Sequence, residues 1–408
     1  MMVYFFLYIA ILIVPILEQY ISFLSFFDEG LTILFFIGML YQKQVDKRLK
    51  PVLYCLVAIL AIGMLSSFYF DYQKSLEGIF KDALAISKFP IAIYSLSKIR
   101  IDRDRISKSV ENVSRIASVI VFFLGLVSLF ANIGLSREND LRFGFRAFSF
   151  LYAHPTFLVI SLVSVLAVLI ANGLNRNVVY ILMTAFTIVL TFRFKAFIVL
   201  AAILVLPLAK KLGGARYRKG ILTISAVGIL ALTYFLVADK ISDYSSDEYI
   251  NDAARTIVTY KGFFIAKEHF PLGTGFCTYG SYLSVFYYSP LYYKYLGNIT
   301  GIQKDEYSYA ADVFWPSIYV QYGFIGAIIY LIMIFIIFRY INRTFEVFSD
   351  KWIAAQILML YAVAASTSEA FFTNPSGVFF PIILMLFIGN GNFIPKHIRN
   401  FPAMSARV

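Results

Sequence analysis

The strongest constraint on this chain is its succession of apolar stretches, each close to the length that crosses a bilayer. A hydrocarbon core about 30 Å thick takes roughly 20 residues of helix. Apolar runs fall at 3–17, 30–41, 51–70, 79–97, 115–134, 150–172, 177–192, 196–209, 220–238, 313–338, 352–369 and 376–394. The chain has 408 residues and is 60% hydrophobic, so about 12 spans account for most of its apolar content. The pattern predicts an all-α polytopic membrane protein and excludes a soluble enzyme, a disordered chain and a disulfide scaffold. Cys55 and Cys277 cannot build a disulfide framework.

The N-terminal run lacks a basic segment before it and a small-residue cleavage site after it, and is read as a retained span. The fourth run is interrupted by Lys81, Asp82 and Lys88, which fits a helix facing a wet cavity or an interfacial helix. Glu18, Asp28 and Glu29 cluster where the first two runs meet.

Net charge is +12. In a soluble protein that would suggest nucleic acid. Here the basic residues collect in segments 42–50, 98–108, 210–219 and 339–351 and in the tail, as cytoplasmic loops do. This places both termini in the cytoplasm, and no nucleic acid is expected. The predicted organisation is nine spans over 1–238, a loop or cap over 239–312, three spans over 313–394 and a cytoplasmic tail over 395–408. The loop is long and not of low complexity. It carries a helix-like stretch (254–270), the glycine turn PLGTGFCTYGS (271–281) and nine tyrosines between Tyr279 and Tyr309. An ordered cap on the outer face is the expectation.

Cations on the outer side go against the positive-inside trend and call for a reason. They are Arg142 and Arg146 in LRFGFRAF, Arg193 and Lys195 in TFRFKAF, and Arg255. Arg193 and Lys195 sit between two runs joined by a very short loop. They are either snorkelling side chains or an anion site, since guanidinium groups match diphosphate oxygens by paired hydrogen bonds. His154, in FLYAHPTFL, is either a satisfied bundle residue or a catalytic or substrate contact. Asp312 is either the cap of the following helix or a base for a sugar hydroxyl. Tyr279, Tyr288, Tyr292 and Trp315 are glycan-stacking candidates, with an interfacial aromatic belt as the alternative. The GTGFCTYG string (273–280) lacks the setting of a dinucleotide loop, and its glycines suit close approach of a turn to the bundle. No metal motif occurs, and neither a metal nor another cofactor is expected.

Taken in order, the RFGFRAFSFLYAHP segment, the TFRFKAF hairpin, Arg255 opening the large loop, PLGTGFCTYGS, the YSP element (288–290) and ADVFWPSIYVQYGFIGAIIY resemble the Wzy-type polymerases and the related O-antigen ligases. The resemblance spans almost the whole chain and rests on order and layout. It implies a GT-C-like helical glycosyltransferase of the bacterial inner membrane, acting on the periplasmic face. Donor and acceptor would be undecaprenyl-diphosphate-linked oligosaccharides, with the bilayer as the other partner. The resemblance also admits a chain-length-regulating protein. Cationic stabilisation of the diphosphate by Arg193, Lys195, Arg255, Arg142 and Arg146 would serve the chemistry, with Asp312 or His154 as base. The related ligases carry a His-containing segment where this chain reads EYSYAADVFW (306–315), a departure that favours a polymerase. A lipid-linked oligosaccharide flippase is the reading from another class. The absence of internal repeats and the long outer loop weigh against it.

Overall fold

A computed structural model describes residues 2–41, 47–97, 103–142, 144–211, 250–296, 302–304 and 313–388. The chain runs through α1 (Met2–Leu17), α2 (Phe27–Tyr41), α3 (Lys50–Phe70), α4 (Leu76–Leu96) and α5 (Arg103–Phe130). A hairpin follows, β1 (Ser136–Arg142) and β2 (Phe145–Phe148). Then come α6 (Pro155–Ala171), α7 (Val178–Leu190) and α8 (Phe194–Lys211). Beyond the next described boundary lie α9 (Ile250–Glu268), α10 (Tyr282–Phe286), α11 (Pro290–Tyr295), α12 (Phe314–Gln321), α13 (Gly323–Thr344), α14 (Asp350–Ser366) and α15 (Ser376–Ile382). The last passes into a π-helical turn, Ile383–Ile388. The apolar run at 220–238 and the tail lie outside the described residues, as does Asp312.

Among the described residues, four stretches are long and apolar enough to cross a membrane: Ser22–Tyr41, Lys50–Phe70, Ser107–Phe130 and Gly323–Thr344. Shorter apolar helices accompany them at Tyr4–Leu17, Pro155–Ala171, Val178–Leu190 and Ser376–Ile388. Their outward residues are apolar too: Leu34, Val57, Phe123 and Phe335 are all exposed. A surface of that kind is covered by lipid rather than water. The protein is therefore predominantly helical and membrane-embedded.

The centre of the bundle is α6. Apart from Phe157, every residue of this helix is buried, and a helix apolar on all sides belongs in a core. It packs against α5, α7 and α14. On the other flank α4 packs between α2, α3 and α15. Its Lys88 is 4% exposed and pairs with Asp28 at 2.5 Å and Glu29 at 2.6 Å. One of the charges that interrupt the fourth apolar run, Lys88, thus meets two of those at the junction of the first two, while Lys81 pairs with Glu77 on its own helix. Burying them separately would be far costlier than burying them paired.

The apolar run at 313–338 is not one helix. It breaks at Tyr322 and Gly323, where Gly323 has φ 68°. The break is made by the glycine turn. Thr274 N–H donates to Val320 O at 2.8 Å and Gly275 N–H to Gln321 O at 2.9 Å. Those carbonyls would otherwise serve the next turn of a continuous helix. A Cβ on Gly323 would lie 2.1 Å from Pro271 O, and one on Gly275 would lie 2.6 Å from Ser67 N. The glycines do let the turn approach the bundle, as the sequence suggests. Side chains then fasten it. Cys277 N–H is shared between the Asp82 carboxylate and Gln321 Oε1, both at 2.8 Å. Ser67 Oγ accepts from Phe276 N–H at 2.8 Å, and Ser66 Oγ donates to Leu272 O at 2.9 Å.

Candidate functional site

Three connections converge at one end of the bundle. The α7–α8 turn is closed by Thr191, whose Oγ donates to Ile188 O at 2.7 Å. Phe192 follows with φ 49°, an unusual backbone for a non-glycine residue. Its ring stacks on Phe145 of the hairpin, 6.1 Å between centroids. Arg193 comes next and points to the hairpin. In β1, Asp140 and Arg142 lie two residues apart, on one face of the strand. Arg142 Nε donates to Asp140 Oδ1 at 3.0 Å, and its Nη1 reaches Phe192 O at 3.3 Å. Asp140 also pairs with Arg193. One carboxylate thus bridges two guanidinium groups.

The third connection enters α6. His154 is the N-cap, with Pro155 as the first helical residue. Its Nδ1 accepts from Thr156 N–H at 3.2 Å. Its Nε2 lies 3.4 Å from Arg193 Nη2. Burial, then the charges of Arg193 and Arg137, push the imidazole down to about 3, so it is neutral at physiological pH. With Nδ1 acting as acceptor, the single proton of the neutral ring sits on Nε2. His154 therefore sets its Nε2–H against a guanidinium that also only donates, so the 3.4 Å approach brings two donors together and is not a hydrogen bond between them.

Electrostatics agree with that geometry. Burial and the Arg142 charge lower Arg193 to about 10, which still leaves it cationic. Burial works to raise Asp140, but its contacts with Arg142 and Arg193 prevail and hold the carboxyl below its usual range.

The remaining sequence-predicted residues separate. Lys195, one residue into α8, pairs with Glu369 beyond the end of α14. Trp315 links the start of α12 to that same end of α14, its Nε1 donating to Ser366 Oγ at 3.1 Å. Arg146 is exposed on β2. Arg255 is on α9, whereas the charges acting most strongly on His154 and Arg193 are Arg142, Arg137, Asp140 and Lys195. The N-cap position of α12 is Val313 rather than Asp312.

The tyrosines do not offer open ring faces. Tyr279 and Tyr292 stack on each other at 5.5 Å, and Tyr288 stacks on Tyr292 at 5.3 Å. All three are buried in a satellite core with Val258, Ile265 and Leu291. Their hydroxyls are engaged too: Tyr279 donates to Val258 O at 2.7 Å, Tyr288 donates to Ile302 O at 2.9 Å, and Tyr292 accepts from Gly280 N–H at 2.8 Å. In this arrangement they build the cap.

Sequence reasoning missed Asp140 and Glu369, the carboxylates that hold the two cations of the TFRFKAF hairpin. Asp140 had a signal, its two-residue spacing from Arg142 in an alternating segment. Glu369 had none, because only the packing of α14 on α8 brings it to Lys195. Among the described residues, no group of three His, Cys, Asp or Glu could hold a metal ion. No protein-family model and no curated protein sequence matches the chain.

Proposed function

We propose that this protein is a Wzy-type polysaccharide polymerase with about 12 spans and a GT-C-like arrangement in the bacterial inner membrane. It transfers a glycan from undecaprenyl diphosphate to the hydroxyl of a lipid-linked repeat unit on the periplasmic face. The observation that carries this reading is the Arg142–Arg193–His154 cluster at one end of an apolar bundle. Two guanidinium groups and an imidazole N–H are suited to a diphosphate head whose lipid tail stays in the bilayer.

In the transfer, the acceptor oxygen forms a bond to the donor's anomeric carbon as the bond from that carbon to the diphosphate oxygen breaks. The leaving diphosphate gains negative charge. Arg193, Arg142 and the His154 Nε2–H stabilise that charge as it develops. With Nδ1 committed to the helix cap, His154 serves as a donor here, and the acceptor proton passes to another base, for which Asp312 remains the proposal. Lys195, whose charge acts on His154, adds positive potential there, and Arg255 is kept as a further candidate for the diphosphate.

A ligase is disfavoured by the state of His269, the loop histidine before the glycine turn. Its Nδ1 bonds Ile265 O at 2.7 Å and its Nε2 bonds the Tyr72 hydroxyl at 2.9 Å, so both ring nitrogens are structural.

Deletion of the gene followed by gel analysis of surface and lipid-linked polysaccharide tests the proposal. A polymerase mutant still transfers single repeats but makes no long polymer. A ligase mutant accumulates lipid-linked polymer, and a flippase mutant keeps lipid-linked repeats on the cytoplasmic face. Long polymer persisting in a strain without a second polymerase contradicts the reading.

A further inference from the structure

Arg193 is 9% exposed, yet its buried Nε has no hydrogen-bond partner among the described residues. Asp140 engages only one edge of this guanidinium while also accepting from Arg142. A buried guanidinium with an unused N–H has capacity for more acceptor oxygens than one carboxylate supplies. With Nδ1 accepting from Thr156 N–H, His154 turns its Nε2–H toward the same guanidinium, 3.4 Å from Nη2, so two donors meet there.

Such a cluster faces a selection problem. At the end of an apolar, membrane-embedded bundle such a cluster would meet lipid headgroups, many of them singly charged phosphodiesters. Two arginines side by side bind phosphate of any origin unless something opposes it.

We propose that Asp140 is a specificity-determining residue: it occupies the Arg142–Arg193 pair as an internal anion, which a diphosphate displaces and a single phosphodiester does not. This rests on the diphosphate reading of the site given above. Displacement forfeits the contacts of Asp140 with both arginines. A phosphodiester carries one charge and restores little more than was lost. A diphosphate brings two phosphoryl groups, with enough oxygens for both guanidinium groups, the idle Arg193 Nε–H and the His154 Nε2–H. Only the second exchange is a net gain. Asp140 also has somewhere to go. It lies in a two-stranded hairpin whose flanking Gly134 (φ 75°) and turn Gly144 (φ 81°) both face open space.

The test uses the purified full-length protein in a neutral detergent. Geranyl diphosphate serves as the diphosphate probe and dihexanoyl phosphatidylglycerol as the phosphodiester, with binding read by calorimetry. The wild type should bind the diphosphate and be indifferent to the phosphodiester. Asp140→Asn should bind geranyl diphosphate about tenfold more tightly, the scale of one lost charge-assisted contact. It should also bind phosphatidylglycerol competitively. Asp140→Ser, checked by its melting curve, should behave in the same way and covers the case in which the Asn variant fails to fold. Unchanged discrimination in a folded Asp140 variant, with the wild type still binding geranyl diphosphate, overturns the filter and leaves the diphosphate site standing. No binding of geranyl diphosphate by wild type or variants overturns the diphosphate reading itself, and the filter with it.

Discussion

The Nε2 of His154 faces Arg193 Nη2 at 3.4 Å because the other ring nitrogen is held by the amide of Thr156. Capping α6 and setting the imidazole against Arg193 are thus one arrangement. The helix needs an acceptor for its first free N–H groups, and His154 supplies one. That choice fixes the tautomer and turns the remaining N–H toward the guanidinium.

A pH dependence follows from the neutral His154. Its folded value lies near 3, below the ordinary value of 6.5. The unfolded chain therefore binds the extra proton as pH falls through about 6.5, while the folded chain does not until about 3. The stability from this residue is fully present above pH 6.5 and is lost progressively on acidification below it. Wild-type protein should lose melting temperature between pH 7.5 and 5 faster than His154→Asn, which keeps a capping side chain without a titrating group. A wild-type melting temperature that rises over this range relative to His154→Asn would contradict the assignment.

The glycine turn predicts a contrast between two glycines that share a left-handed backbone. Gly275→Ala must adopt φ 93° and drive its methyl into the Ser67 backbone. It should cost roughly 2–5 kcal/mol, combining backbone strain and overpacking. Gly144→Ala also has positive φ but meets open space, so only a backbone cost of about 1 kcal/mol is expected. Thermal melting of the two variants in the same detergent reads the difference directly.

The Lys88–Asp28–Glu29 cluster predicts non-additive substitutions. Lys88→Met leaves the buried Asp28 and the half-buried Glu29 without their cation and should destabilise by about 3–5 kcal/mol. Adding Asp28→Asn and Glu29→Gln should restore much of the loss, because no uncompensated charge then remains. A triple variant less stable than Lys88→Met would show that the carboxylates serve something other than Lys88.

Much of this architecture was legible in the sequence. The apolar run at 150–172 could be read as a span, and its place at the bundle centre as α6 is what packing adds, since an apolar helix is as stable against lipid as against other helices. The cations of TFRFKAF could be singled out because their position conflicts with lipid and with the charge of the loops. The broken run at 313–338 was not legible. Gly323 sits in a pattern that reads as continuous helix, and the break comes from Pro271 and Thr274, about 50 residues away in sequence. The tyrosines misled for a related reason. A ring that stacks on a sugar and one that stacks on another tyrosine are the same in sequence, and only burial separates them.

The most direct measurement is turnover of a lipid-linked repeat unit by purified wild-type and Arg193→Ala protein at matched, folded concentrations. Losing a cationic contact made to the leaving diphosphate should lower the rate by about 10²–10³, with Arg193→Lys recovering only part, since a lysine supplies the charge without the fork. Polymer formation by the wild type and its loss in Arg193→Ala is the predicted result. Wild-type turnover in a folded Arg193→Ala protein would leave Arg193 as a buried partner of Asp140 alone and would contradict the account.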